Sequence, residues 1–226
     1  IANQQRLAEI NEGEKSKIIA FHCNYGQRTE QKELSCFNSL CEFYGIPEYD
    51  RRVIDIAYLK QIGGSALTDN NVDVPVDGHA ISSRYVPVSY VPFRNGNLLS
   101  IAASIAAVEK GTYIWIGVVE QDNSGYPDCR TEFISFMNDA INAGLPDGHD
   151  VVIKVPLIGM KKKHIIEVGN NIGVPYNLTW SCYQNEQAAC ILCDSCRLRI
   201  QSFLDNNMID PINYIEDWDK CIEMIQ

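Results

Sequence analysis

Residues 16–28 read "SKIIAFHCNYGQR". The apolar run Ile18-Ile19-Ala20-Phe21 is too short for a helix and reads as a buried strand. It ends at Cys23 and gives way to a polar turn, "NYGQR". The next stretch, "RTEQKELSCFNSLCEFYG", is helical, with Leu34, Phe37, Leu40, Cys41 and Tyr44 on one side and Gly45 at its exit. Strand, polar turn, helix is the opening of a βα unit, and open α/β sheets place ligand-binding residues at that turn.

Working outward, the alternation repeats. "YDRRVIDIA" and "TYIWIGVV" read as strands, as does "DVVIKVP". "NLLSIAASIAAVEKG", "CRTEFISFMNDAINAG", "KKKHIIEVGNNIG" and "DSCRLRIQSFLDNN" read as helices, and residues 1–12 as one more. Continuous apolar strands alternating with helices predict an α/β fold, a doubly wound parallel sheet covered on both faces. Between about Gly63 and Pro92 runs a long polar loop, of the kind that is often functional. Its "GGSALTD" lacks the helix that a phosphate-cradling loop needs and reads as a turn.

The chain has 226 residues, 46% hydrophobic and 21% charged, which predicts a packed core and no disorder. No apolar run approaches the roughly 18 residues that span a bilayer. The reading is of a soluble, cytoplasmic protein. A net charge of −10 argues against a nucleic-acid partner. The Lys161–Lys163 run reads as a solvated helical face.

Four of nine cysteines fall within "SCYQNEQAACILCDSC", at Cys182, Cys190, Cys193 and Cys196. An odd total without a secretion signal argues against a disulfide framework. Two Cys-x2-Cys steps sharing Cys193, with Cys182 upstream, suit tetrahedral zinc. An iron–sulfur cluster or a redox pair also fits the spacing. With all four positions filled by protein, a zinc ion here is structural, one per chain. Other polar sets lie at strand ends or helix starts: Gln27 and Arg28; Arg94 and Asn95; and Asp122, Ser124, Tyr126, Asp128 and Arg130. His22, His79, His149 and His164 form no triad or metal pattern.

Taken together, "NYGQR", "GGSALT", "VPFRN", "SGYPDCRTEFI", "PLIGMKKKHII", "GVPYNLTWSCY", "CILCDSCRLR" and Asp210-Pro211 occur in the order of one family. The chain resembles the 7-cyano-7-deazaguanine synthases over nearly its whole length. The resemblance implies an adenine nucleotide alpha-hydrolase-like domain over residues 1–180 and a zinc-stapled helical segment over residues 181–226. It implies ATP-dependent ligation of ammonia to 7-carboxy-7-deazaguanine through an adenylated carboxylate and an amide, with Mg2+ accompanying ATP, in a homodimer. It assigns zinc to Cys182, Cys190, Cys193 and Cys196, and catalytic phosphate contacts to Arg94 and Lys162. Gln27, Arg28 and Asn95 join Arg94 on the nucleotide side. Asp122, Ser124, Tyr126, Asp128 and Arg130 fall on the deazaguanine side.

Three departures stand out. Asn24 replaces the usual Asp of "DYGQR", and Ile191 stands where the family has Gly after the second zinc cysteine. The family also opens with a strand and an S-G-G-x-D-S pyrophosphate loop; no such motif occurs here, and the expectation is that it lies upstream of Ile1. Three other readings share some of these residues: a relative that passes the deazapurine to a protein or DNA, a binding homologue without catalysis, and a tRNA-modifying enzyme.

Overall fold

The computed structural model describes residues 17–76, 86–120 and 125–226. The expected helix at residues 1–12, His79, Asp122 and Ser124 lie outside the described residues.

Strand β1 (Ala20–Asn24) pairs in parallel with β2 (Arg51–Asp55), Ala20 opposite Arg51 and Asn24 opposite Asp55. Helix α1 (Glu30–Phe43) makes the crossover and ends at Gly45, whose φ of 66° suits only glycine without strain. A short helix α2 (Tyr58–Ile62) follows β2. Helix α3 (Arg94–Glu109) leads into β3 (Tyr113–Trp115), and α4 (Thr131–Gly144) leads into β4 (Val152–Lys154). β3 and β4 are parallel, with Ile114 opposite Ile153. Helices α5 (Lys162–Asn171), α6 (Asp194–Leu204) and α7 (Trp218–Ile225) complete the chain.

Among the described residues the strands and helices therefore fall where the apolar periodicity puts them, and α2 and α7 are added to them. The doubly wound sheet is a different matter. Among the described residues the strands form two separate parallel pairs, β1–β2 and β3–β4. On the β3–β4 pair, only one face is covered among the described residues. Ile114 and Ile153 are buried under Leu99, Ala102 and Ala106 of α3 and Ile134 and Ile141 of α4, whereas Tyr113, Trp115 and Val152 are exposed. The alanines of α3 explain the close packing, since they favour helix and let its axis approach the strands.

The loop from Gly63 is built as a turn, as its sequence suggests, but it is internal. Ser65, Ala66, Leu67 and Thr68 are all buried. Its amides are already used: those of Thr68 and Asp69 donate to the Ser65 carbonyl, and that of Ala66 donates to Val88. No amide of these three residues is left for a phosphate.

The segment after residue 180 packs onto the rest through its long helix and is held together internally by a buried ion pair. Helix α6 lies against α5. Arg199 of α6 forms a two-pronged ion pair with Asp210, Nε to Oδ2 at 2.5 Å and Nη2 to Oδ1 at 2.8 Å. Tyr214 donates its hydroxyl to the same carboxylate at 2.8 Å.

Candidate active site

Two adjoining clefts open at the carboxyl ends of β1 and β3. The first, about 340 Å³, lies between the two strands and is lined by Phe21, His22 and Cys23 on one side and Ile114, Trp115 and Ile116 on the other. The second, about 460 Å³, lies between the "NYGQR" turn and the cysteine segment, against Gln27, Thr29, Trp180, Ser181, Tyr183 and Ser195. Tyr25, Glu33, Arg94 and Gly117 line both.

Arg94 is the first residue of α3, half-buried between the clefts. Its Nη1 donates to the Tyr25 hydroxyl at 3.2 Å, and its guanidinium carbon lies 5.5 Å from the centre of that ring. Among the described residues no carboxylate forms an ion pair with it. Burial pulls its pKa down, but the neighbouring Tyr25, Tyr126 and Tyr183 hydroxyls more than offset this and hold it above the ordinary arginine value. Burial pushes Tyr25 up to about 12, so the phenol stays protonated at neutral pH. A guanidinium held this way, lining a cleft and with no ion pair among the described residues, suits a phosphate or carboxylate oxyanion.

The turn ahead of Arg94 is unusual. Phe93 is in the left-handed region at φ 54°, which costs a non-glycine residue roughly 1–2 kcal/mol. Its N–H donates to the Tyr90 hydroxyl at 2.8 Å, and its carbonyl accepts from the Asn97 side chain at 2.8 Å. Its ring meets Phe133 edge-on at 5.6 Å and occupies the space where any Cβ on Gly96 would fall. One residue on, the Asn95 amide donates to Asp128 Oδ2 at 2.8 Å. The Asn95 side chain donates to the Asp128 carbonyl at 3.2 Å and to Cys129 Sγ at 3.2 Å. Burial raises the Asp128 pKa, against the pull of the Asn95 amide and Arg94.

The candidates read from the sequence divide accordingly. Arg94 faces the clefts, and Tyr126 stands near it with its hydroxyl donating to Ser89 Oγ at 2.9 Å. Gln27 lines the second cleft but is engaged internally, accepting from the Tyr25 amide at 2.9 Å and donating to Glu33 at 3.1 Å. Arg28 also lines the second cleft, and it donates to the carbonyls of Ala66, Asp69 and Val72 in the Gly63 loop. Asn95 and Asp128 are buried against each other. Arg130 is exposed at the start of α4, and Lys162, at the start of α5, lines neither cleft. Tyr25, Glu33, Trp180, Ser181 and Tyr183 escaped the sequence reading. Their only signal was position: Tyr25 sits inside "NYGQR", and the other three apart from Glu33 flank Cys182.

The four cysteines come together as the spacing requires. Cys182, Cys190, Cys193 and Cys196 are buried, and all their sulfurs lie within 4.8 Å of one another. Backbone amides of Gln184, Asn185 and Cys190 each donate to Cys182 Sγ at 3.4 Å, and that of Cys193 to Cys190 Sγ at 3.4 Å. Such bonds stabilise thiolates and are the outer shell of a metal-thiolate site. Sulfurs about 2.3 Å from a central ion lie just under 4 Å apart, close to the 4.0 Å between Cys190 and Cys196. The residues fit a closed structural metal centre with no open position for catalysis.

The centre is wired to the clefts. Ser181 and Tyr183 flank one ligand and Ser195 precedes another, and all three line the second cleft. From the loop between the first two ligands, Glu186 accepts from the first-turn amides of α1 at Gln31, 3.0 Å, and Lys32, 3.3 Å. Lys32 in turn lies 4.8 Å from the centre of the Trp180 ring.

Residues 6–207 match the family model described as queuosine biosynthesis protein QueC. A 7-cyano-7-deazaguanine synthase of Nautilia profundicola is 49% identical over 207 residues, covering 92% of this chain and 91% of the relative. A protein of the same name from Nitratiruptor sp. is 50% identical over 198 residues, 88% of this chain and 87% of its own. A third, from Sulfurovum sp., is 49% identical over 208 residues, with 92% and 91% covered. With a match that takes in both the cleft residues and all four cysteines, the chain belongs to the QueC family of queuosine biosynthesis proteins.

Proposed function

We propose that this protein is an ATP-dependent carbon–nitrogen ligase that converts 7-carboxy-7-deazaguanine and ammonia into 7-cyano-7-deazaguanine. A carboxylate oxygen attacks the α-phosphorus of ATP and pyrophosphate leaves. Ammonia then displaces AMP to give the amide, losing a proton. A second adenylation, on the amide oxygen, makes that oxygen a leaving group, and loss of AMP and the remaining N–H protons leaves the nitrile. Each activation is needed because carboxylate and amide oxygens leave poorly until they carry AMP.

The observation that carries this reading, beside family membership, is Arg94. It is a cleft-lining cation without a carboxylate partner among the described residues, and it offers a two-pronged donor to phosphate or carboxylate. Fixed charge of this kind supplies most of the catalysis in group transfer to and from phosphate. Tyr25, Trp180 and Tyr183 give the clefts aromatic surface suited to a purine-like ring. Asp122, Ser124, Tyr126 and Arg130 remain the proposed deazaguanine side, with Lys162 and Mg2+ on the phosphates.

The metal is zinc by this proposal, held by Cys182, Cys190, Cys193 and Cys196. When bound it supplies folding energy and neutralises clustered thiolates. Residues 181–226 are then a stapled extension of the α/β domain of residues 1–180. We further propose that β1–β2 and β3–β4 are halves of one doubly wound sheet, because both pairs are parallel and β1 and β3 both end at the clefts. A soluble cytoplasmic homodimer completes the reading; no described helix is long and apolar enough to cross a membrane. Full-length, metal-loaded protein given ATP, ammonium and the 7-carboxy base is expected to yield the nitrile and AMP by mass spectrometry. Absence of both products would refute the assignment.

A further inference from the structure

We infer that Asp128 is a positioning residue, which acts by locking the first turn of α3 so that Arg94 points into the clefts. Three observations converge on it. First, the backbone before Arg94 is held in a conformation that it would not choose. Phe93 sits at φ 54°, fixed by its amide bond to the Tyr90 hydroxyl, the Asn97 bond to its carbonyl and its ring over Gly96. Non-glycine residues persist in that region where their surroundings over-determine them, and such sites cluster at functional positions.

Second, the residue after Arg94 is pinned from the other side. The Asn95 amide reaches Asp128 Oδ2 at 2.8 Å, and its side chain reaches the Asp128 carbonyl. Arg94 is thus bracketed by two fixed neighbours, and a shift of either re-aims its long side chain. Third, the arrangement separates the charges by task. A carboxylate at a helix N-terminus satisfies first-turn amides that would otherwise draw an anion. Asp128 is buried and does so here, without pairing with the Arg94 guanidinium. The Asn95 amide is therefore satisfied internally while the guanidinium lines both clefts. The Oδ2 edge of Asp128 belongs to the scaffold, while Oδ1 is buried with no hydrogen-bond partner among the described residues.

The inference rests on Arg94 as the oxyanion receptor of the proposed reaction, and a double-mutant cycle in the full-length enzyme tests it. Misplacement of a reacting group by about 1 Å costs on the order of 100-fold in rate. Asp128→Ala is expected to lower kcat by about that factor with KM for the 7-carboxy base changed less than about threefold. Asp128→Asn, whose amide oxygen can accept the same Asn95 N–H, is expected to recover most of the rate. In an Arg94→Ala background Asp128→Ala is expected to change kcat/KM by less than about threefold, because its effect passes through the missing guanidinium. If the alanine variant does not fold, Asp128→Ser, too short to reach the Asn95 amide, goes through the same cycle. Effects that multiply, or a raised KM with kcat intact, would overturn the positioning role. Wild-type enzyme that makes no nitrile removes the proposed function instead, so the two failures are distinguishable.

Discussion

Removing the charge of Asp210 should be among the most damaging single changes outside the clefts. Its carboxylate is 0% exposed and the Arg199 side chain 11% exposed, so neither is screened by solvent. In Asp210→Asn one oxygen becomes an NH2 group that faces the Arg199 donors, and Arg199 keeps its charge. Breaking a buried pair in this way leaves an uncompensated ion, at about 3–5 kcal/mol. Arg199 retains its bonds to Thr179 Oγ1 at 2.9 Å and the Tyr176 carbonyl at 3.3 Å and one bond to the remaining amide oxygen, none of them to a charged acceptor. For a chain of this size each kcal/mol moves Tm by roughly 2–4 °C, so a fall on the order of 6–20 °C is expected. Thermal unfolding followed by far-UV circular dichroism, with zinc in excess, measures it. The paired replacement Arg199→Met with Asp210→Leu removes both charges and should lie within about 2 kcal/mol of wild type, far above either single variant. A loss under about 1 kcal/mol in Asp210→Asn would refute the reasoning, since it would mean that water reaches the pair.

Ile191→Gly should destabilise rather than relieve the protein: deleting a fully buried Ile costs about 2–5 kcal/mol, against roughly 1–2 kcal/mol of left-handed strain released at φ 69°. Denaturant midpoints decide it, and a variant more stable than wild type would reverse the balance. Metal analysis should return one zinc per chain, with chelation lost in Cys193→Ser; removing the metal should also change Trp180 fluorescence, because Ser181 alone separates that ring from a ligand. Stability should fall on the alkaline side. Burial raises Cys23 and Cys129 from 9.0 to about 11, so the unfolded chain loses these protons first. Their contribution is full below about pH 9 and gone once the pH passes about 11, which urea titrations across that range would show.

The zinc-type cluster was legible because thiolate coordination is a local property. Cys190, Cys193 and Cys196 lie on one tight stretch, and their spacing alone places three ligands round one ion. The alternation of strands and helices was legible for the same reason, since each element buries its own apolar face. Arg94 stood out as a cation at a helix start. What the spacing could not say is which polar residues look outward. Arg28, Asn95 and Asp128 have the chemistry of ligand contacts, yet the fold spends them on carbonyls and amides at long sequence separation, such as Ala66 for Arg28.

Ile191 marks the same boundary. Its sequence shows only an isoleucine where the family resemblance leads one to expect glycine. The structure gives the reason for glycine, a left-handed backbone between two metal ligands, and also the reason that isoleucine survives there, a fully buried pocket against Ile200 and Cys221. By itself, then, the sequence determined the family, the secondary structure and the metal ligands, all of which depend on residue type at short range. Only the tertiary structure decided that Arg94 faces a cleft with no carboxylate paired to it among the described residues, that Asp128 braces it, and that the cysteine segment forms a wall of the second cleft. Those depend on burial and on contacts between distant residues, which no local pattern encodes.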